Sequence, residues 1–312
     1  MGHGHGHGQA QGHGEGRAAD RRRLVLVLLV SVAVIAVELV GAWLTGSLAL
    51  AADAGHVASD AVGVALALGA SYAAMRPPTA RRTFGLHRAE VLAALANAVV
   101  MLGLSAWLLW TAIGRLRDPV SVDAGPLVVF ALVGLLANVV ALAILTRGDT
   151  SALHMRSALL EVLGDAVGSA LVVVSGIVIL LTDFHRADAI ASILIAVLIA
   201  PRALLLLRDT VLVLLEATPA GLDLEKVRGG LVTIDGVVGV HDLHAWTITS
   251  GMLSLSAHVT VADDVLASRG VGAVLDDLAD RVATDHGIRH ATFQVEPASH
   301  REHEDLGETG CG

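Results

Sequence analysis

Two apolar stretches of this sequence carry ionisable side chains at a repeated spacing. In "ADAGHVASDAVGVALALGA" His56 and Asp60 are four residues apart, and in "LLEVLGDAVGSALVVVSG" Glu161 and Asp165 repeat that interval. Residues i and i+4 of an α-helix lie one turn apart on one face, so each stretch presents a pair of ligating atoms. Asp53 sits one turn before His56 on the same face, and Ser157 and Ser169 extend the second stripe by a turn each way. An ionisable group inside a membrane span is costly unless it is paired, hydrated or functional. Three of these four groups are carboxylates, and no basic partner is evident within the spans, so their charge calls for a bound cation or for protons. One imidazole and three carboxylate oxygens on two helices suit a divalent metal. The alternative, solvated helix ends or isolated protonated acids, does not account for the same spacing in two separate segments.

Other polar positions carry weaker signals. Glu38, Asn97 and Asn138 fall inside apolar stretches and read as interhelical hydrogen-bond partners. Arg88 and Glu90 stand at the entry of a span, as a mouth or as an ion pair between spans. The N-terminus alternates histidine with glycine at His3, His5, His7 and His13. Such a tract binds borderline metals without fixed geometry, and weakly, because ordering a flexible tail costs entropy. Near the C-terminus His241, Asp242, His244, His258, His286, His290, Gln294 and Glu296 form a dense set of potential ligands. Any one of them alone is more simply a surface or core residue.

The elements that must position these groups follow from composition. Hydrophobic residues make up 54% of the chain and charged ones 16%, with a mean hydropathy of +0.68, which points to an integral membrane protein. A spanning helix needs about 20 apolar residues. Six stretches meet that length, at residues 24–44, 48–74, 89–114, 124–146, 156–182 and 187–207, the last continuing toward Glu216. The first is not followed by a convincing cleavage site, so it is expected to be a retained helix rather than a signal peptide. "TGS" at 45–47 is a tight turn, and "RPPTARRTFG" at 76–85 is a loop. Arg17, Arg21, Arg22, Arg23, Arg76, Arg81, Arg82, Arg88, Arg147, Arg156, Arg202 and Arg208 fall on one side of the spans, against Arg115, Arg117 and Arg186 on the other. By the positive-inside rule the first side is cytoplasmic and holds both termini. The lone Cys311 excludes an internal disulfide or a cysteine zinc knuckle. The net charge is −9, unevenly placed, and no nucleic-acid partner is expected.

After Pro219 the pattern changes. "LDLEKVRGGLVTI" reads as an amphipathic helix, "VVGVHDLHAWTIT" and "MLSLSAHVTVA" as strands joined at Ser250-Gly251, "VGAVLDDLADRVATDHG" as a second helix and "HATFQVEP" as a third strand. The order αββαβ predicts a small α+β domain with helices on one face of a sheet. The expected organisation is a His/Gly-rich cytoplasmic tail at 1–23, a six-span domain at 24–215, a cytoplasmic αββαβ domain at 216–297 and a polar tail at 298–312.

"GSLALAADAGHVASDAVGVALAL", "TFGLHRAEVLAALAN", "LLEVLGDAVGSALVVVSG" and "GVHDLHAWTITSG", in this order, resemble the cation diffusion facilitators, and in particular the zinc/cadmium branch of bacterial exporters. The resemblance covers residues 24–297. It implies a polytopic α-helical protein of the inner or plasma membrane, with six transmembrane helices and a metallochaperone-like cytoplasmic αββαβ domain. It further implies a homodimer in the lipid bilayer, joined through those domains, that exports a divalent metal in exchange for protons. The family's transport site maps onto His56, Asp60 and Asp165. Zinc members usually carry histidine where this chain has Glu161, which adds a negative charge and shifts preference toward harder ions such as Mn²⁺. In the cytoplasmic domain the family's metal positions fall on His241, His258 and Glu296, with Gln294 where some relatives have histidine.

The expected function is secondary active export of divalent transition metals, Zn²⁺ first and Cd²⁺ or Co²⁺ beside it, with protons as the coupling ion. A neutral imidazole and ionised carboxylates bind the ion, and protonation competes with it. A proton-coupled exporter of organic cations would leave His56, the histidine tail and the cytoplasmic domain unexplained. A membrane metal sensor would not need ligands deep in the spans. No phosphate-binding glycine loop, nucleophile elbow or HExxH motif marks an enzyme.

Overall fold

The computed structural model describes residues 29–146 and 153–303. His3, His5, His7, His13 and Cys311 lie outside them. Six apolar helices come first: α1 (Leu29–Thr45), α2 (Leu48–Ala74), α3 (Ala89–Arg117), α4 (Ala124–Leu145), α5 (Leu153–Thr182) and α6 (Arg186–Leu214). Helices α2 to α6 are each long and apolar enough to cross a membrane, and α1 is shorter within the described residues. Gly46 turns α1 into α2 with φ +71°, a conformation that costs glycine little.

The contacts divide the chain into two units, Met1–Leu66 with Ala96–Leu206, and Ala67–Leu95 with Leu207–Gly312. In the first unit the buried positions are dominated by small residues, among them Ala49, Ala52, Ala112, Ala131, Ala196 and Ala203, interleaved with Leu50, Leu108, Leu127 and Ile179. Small side chains let membrane helices approach closely. One end of this helix set is tied by polar contacts. Asp188 at the start of α6 accepts from the backbone N–H of Leu48 (2.7 Å) and Ala49 (3.2 Å) and from the Ser47 hydroxyl (2.5 Å). The first turn of a helix leaves its N–H groups without internal partners, so a carboxylate from α6 caps α2. Arg115 of α3 donates to the Gly46 carbonyl at 2.7 Å and approaches Asp188 at 3.6 Å.

The second unit contains α7 (Leu224–Val232), β1 (Val237–Thr249), β2 (Met252–Val261), α8 (Asp263–His286), β3 (His290–Pro297) and a final 3₁₀ turn (Ala298–His303). The order is αββαβ, as the alternation of strand and helix patterns predicts. The sheet runs β1-β2-β3, antiparallel between β1 and β2 and parallel between β2 and β3. Asp223 caps α7 by accepting from the N–H groups of Glu225 and Lys226. Val274, Leu278 and Val282, one turn apart on α8, pack with Leu255, Val259 and Leu231 into a core. Helix α8 starts eight residues before the sequence pattern at Val271 suggests, because a short helical piece from Asp263 joins it through Gly270, whose φ is +79°. Arg269 spans that joint, pairing with Asp277 at 2.5 Å, a contact that raises the pKa of its guanidinium further.

Candidate metal centre

The i,i+4 spacing on α2 does bring His56 and Asp60 together, and α5 adds Asp165. The His56 Nε2 atom lies 3.6 Å from Asp60 Oδ2 and 3.5 Å from Asp165 Oδ1. The three ligating atoms lie within 4.8 Å of one another. His56 and Asp165 are buried. Asp60 Oδ2 and Asp165 Oδ1 have no hydrogen-bond partner among the described residues. Buried polar atoms are nearly always satisfied, so two orphan oxygens aimed at one imidazole nitrogen form a ready set of donors for a cation.

Glu161, half-buried one turn before Asp165, is not among the three side chains whose ligating atoms cluster. Of the four expected ligands, His56, Asp60 and Asp165 have ligating atoms in the cluster, and Glu161 stands beside it. Asp53 does not join the cluster either. Its Oδ2 accepts from the Ser169 hydroxyl at 2.7 Å, and Ser169 in turn accepts from Asn138 Nδ2 at 3.1 Å. That chain ties α2, α5 and α4, so Asn138 has the interhelical role expected of it. Glu38 is fully buried and interacts with Asp53. Two glycines make room for this pair: a Cβ on Gly168 would lie 2.5 Å from Asp53 Oδ1, and one on Gly134 would collide with Glu38 Oε1. Asn97 makes a contact within its own helix instead, from Nδ2 to Met101 Sδ.

Asp53 and His56 line a cavity of about 570 Å³ together with Gly164, Gly168, Ile199 and Arg202. Arg202 was not foreseen there. The sequence places it with the cytoplasmic arginines and leaves the spans without a basic partner, whereas the fold sets it on α6 in the wall of the same cavity.

In the second unit, cross-strand pairing aligns His241 with His258 and His258 with Gln294. Leu255, Ala257 and Val259 of β2 are buried in the core, so alternation turns His258 to the other face. Glu296 bridges the row, with Oε1 at 2.8 Å from His258 Nδ1 and Oε2 at 3.4 Å from His241 Nε2. Their ligating atoms form a second three-member cluster. Gln294 Nε2 donates to Glu296 at 2.7 Å. Of the other candidates, His244 lies 4.0 Å from Asp242, and the His290 ring packs edge-on against Phe84 at 5.2 Å. Arg88 pairs with Glu216 at 2.7 Å, and Glu90 accepts from the Thr249 hydroxyl, so these two residues do not pair with each other.

Residues 24–215 match the model of the cation efflux transmembrane domain, and residues 219–298 match the cation efflux protein cytoplasmic domain. The chain belongs to the cation efflux family. It is a multi-pass membrane transporter with a cytoplasmic C-terminal domain of αββαβ order, not an enzyme. Among curated proteins it is 37% identical to the metal cation efflux system protein CzcD of Cupriavidus metallidurans, over 85% of this chain and 83% of that one. It is 37% identical to the zinc transporter ZitB of Escherichia coli over 83% and 82% of the two chains. It is 35% identical to the cadmium, cobalt and zinc/H(+)-K(+) antiporter of Bacillus velezensis over 85% and 84%.

Proposed function

We propose that this cation efflux protein exports Zn²⁺, with Cd²⁺ and Co²⁺ as further substrates, from the cytoplasm in exchange for protons. The carrying observation is the convergence of His56, Asp60 and Asp165 from two membrane helices within 4.8 Å, with two orphan carboxylate oxygens facing one nitrogen. The imidazole favours a borderline ion over Mg²⁺ or Ca²⁺, and both relatives' names include zinc, one of them with cadmium and cobalt.

The ion binds when the imidazole is neutral and the carboxylates are ionised. Protons entering from the more acidic side compete for the same atoms and displace it. Return of the protonated site completes the exchange, and alternating access requires the helices to rock between two packings. We assign His241, His258 and Glu296 to a cytoplasmic metal site, and the cytoplasmic domains to a homodimer contact. Both termini are then cytoplasmic, in the inner or plasma membrane.

The test is metal-driven proton flux in sealed proteoliposomes with a pH dye inside, comparing Zn²⁺, Cd²⁺, Co²⁺ and Mn²⁺. Flux with Zn²⁺ that Asp165→Ala abolishes is the expected result. Flux with Mn²⁺ alone would reassign the substrate, and no flux with any ion would remove the antiporter reading.

A further inference from the structure

A guanidinium in the middle of an apolar helix is expensive, and the mechanism above gives Arg202 nothing to do. Its surroundings suggest a task. Arg202 lines the cavity that also exposes His56 and Asp53. Its Nη1 atom lies 3.7 Å from the point where a Cβ would project from Gly164. Gly164 directly precedes Asp165 and follows Glu161 by three residues, so the guanidinium hangs over the stretch of α5 that carries both carboxylates. Asp53, the carboxylate that lines the cavity itself, accepts from the Ser169 hydroxyl.

The charge count gives this placement a meaning. Asp60, Glu161 and Asp165 bring three negative charges to a divalent ion, which leaves one uncancelled beside the site. An uncompensated charge in a low-dielectric setting is costly. We propose that Arg202 is the standing counter-charge of the transport site, offsetting the extra carboxylate of Glu161 so that the divalent ion is held loosely enough to be released. Arginine suits this task because it stays protonated at any working pH and so does not compete in the proton exchange. The inference rests on the transport site proposed above.

The experiment is a Zn²⁺ titration of the full chain in nanodiscs by calorimetry, taking the Asp165→Ala variant as the reference, together with zinc flux in proteoliposomes. Removing one unit charge beside the ion, at an effective dielectric of about 20, makes binding roughly tenfold tighter or more. Arg202→Gln is therefore expected to tighten the Asp165-dependent site by that factor, lowering both the KM and the maximal rate of flux. Arg202→Lys keeps the wild-type values, and Glu161→Gln combined with Arg202→Gln returns the affinity toward wild type. A residue with only a structural role would not tighten binding when removed. Unchanged or weaker binding in Arg202→Gln, with the Asp165-dependent site intact, overturns the counter-charge and leaves the transport site standing. If Arg202→Gln does not fold, the charge-balanced double variant decides: its folding supports the proposal, and its failure to fold shows a packing role instead. Absence of any Asp165-dependent binding removes the transport site and this proposal with it.

Discussion

Asp188, the third residue of α6, accepts hydrogen bonds from the backbone N–H groups of Leu48 and Ala49 at the start of α2. One membrane helix thus supplies the cap of another, and the capped helix carries His56 and Asp60. Asp188→Ala leaves those N–H groups and the Ser47 hydroxyl without an acceptor, and Arg115 without its carboxylate. Lost caps and buried orphaned donors cost about 1–3 kcal/mol each. We expect a clear drop in the thermal unfolding midpoint of the detergent-solubilised protein, followed by scanning fluorimetry. An unaltered midpoint would show that the cap contributes little.

Gly168 and Gly134 should resist even the smallest addition. A methyl group at Gly168 would stand 2.5 Å from Asp53 Oδ1, so Gly168→Ala must displace a carboxylate that Ser169 and Asn138 hold in place. We expect zinc flux to fall at least tenfold, on the scale of about 1–3 kcal/mol for overpacking a tight core. Gly103→Ala, where nothing lies within 4 Å of the added atom, is the matched control and should leave flux unchanged. Equal flux in the two variants would mean that the Asp53 contact is not needed.

The two carboxylates of α5 should separate in function. Asp165 belongs to the three-member cluster and Glu161 does not. Asp165→Asn should bring zinc flux to the level of empty liposomes. Glu161→Gln should retain transport with a KM raised about tenfold, the electrostatic share of one nearby charge. Acidifying the loading side should weaken zinc binding in both the wild type and Glu161→Gln, because the ligands bind metal only after losing their protons. Loss of transport in Glu161→Gln would make it a direct ligand.

In the cytoplasmic domain, Gln294→His places an imidazole in register with His258 on the neighbouring strand. A fourth ligand should tighten zinc binding there by about tenfold, the lower end of what one metal-site partner contributes. His258→Ala should remove the site. Both are read by zinc competition against a fluorescent chelator on the full chain, with Asp165→Ala as background. No gain from Gln294→His would mean that its ring cannot reach the ion held by His241, His258 and Glu296.

The pairing of His56 with Asp60 was legible in the sequence because it lies within one helix and helical spacing determines it. Strand alternation likewise gave β1, β2 and β3, since each buries one face. The groups that could not be read are those whose partners sit on other helices. Arg202 is one cation in a long apolar run, so hydropathy marks it as the end of a span and says nothing of the cavity wall it joins. Asp188 falls at the start of the sixth apolar stretch, and its task shows only once α2 is seen to begin beside it. Glu161 is the converse case: its spacing from Asp165 matches that of His56 from Asp60, and spacing alone does not tell that only Asp165 of the α5 pair falls within the cluster. The early start of α8 was hidden because Gly270 breaks the pattern between its two pieces.

Helix α6 holds Asp188 near one end and Arg202 fourteen residues later, about 21 Å apart at the rise of an α-helix, with Pro201 between them. Proline removes one rung of the backbone ladder, so α6 has a built-in point of compliance directly before the guanidinium. The segment from Asp188 to Pro201 is fastened at its first turn to the start of α2, the helix that carries His56.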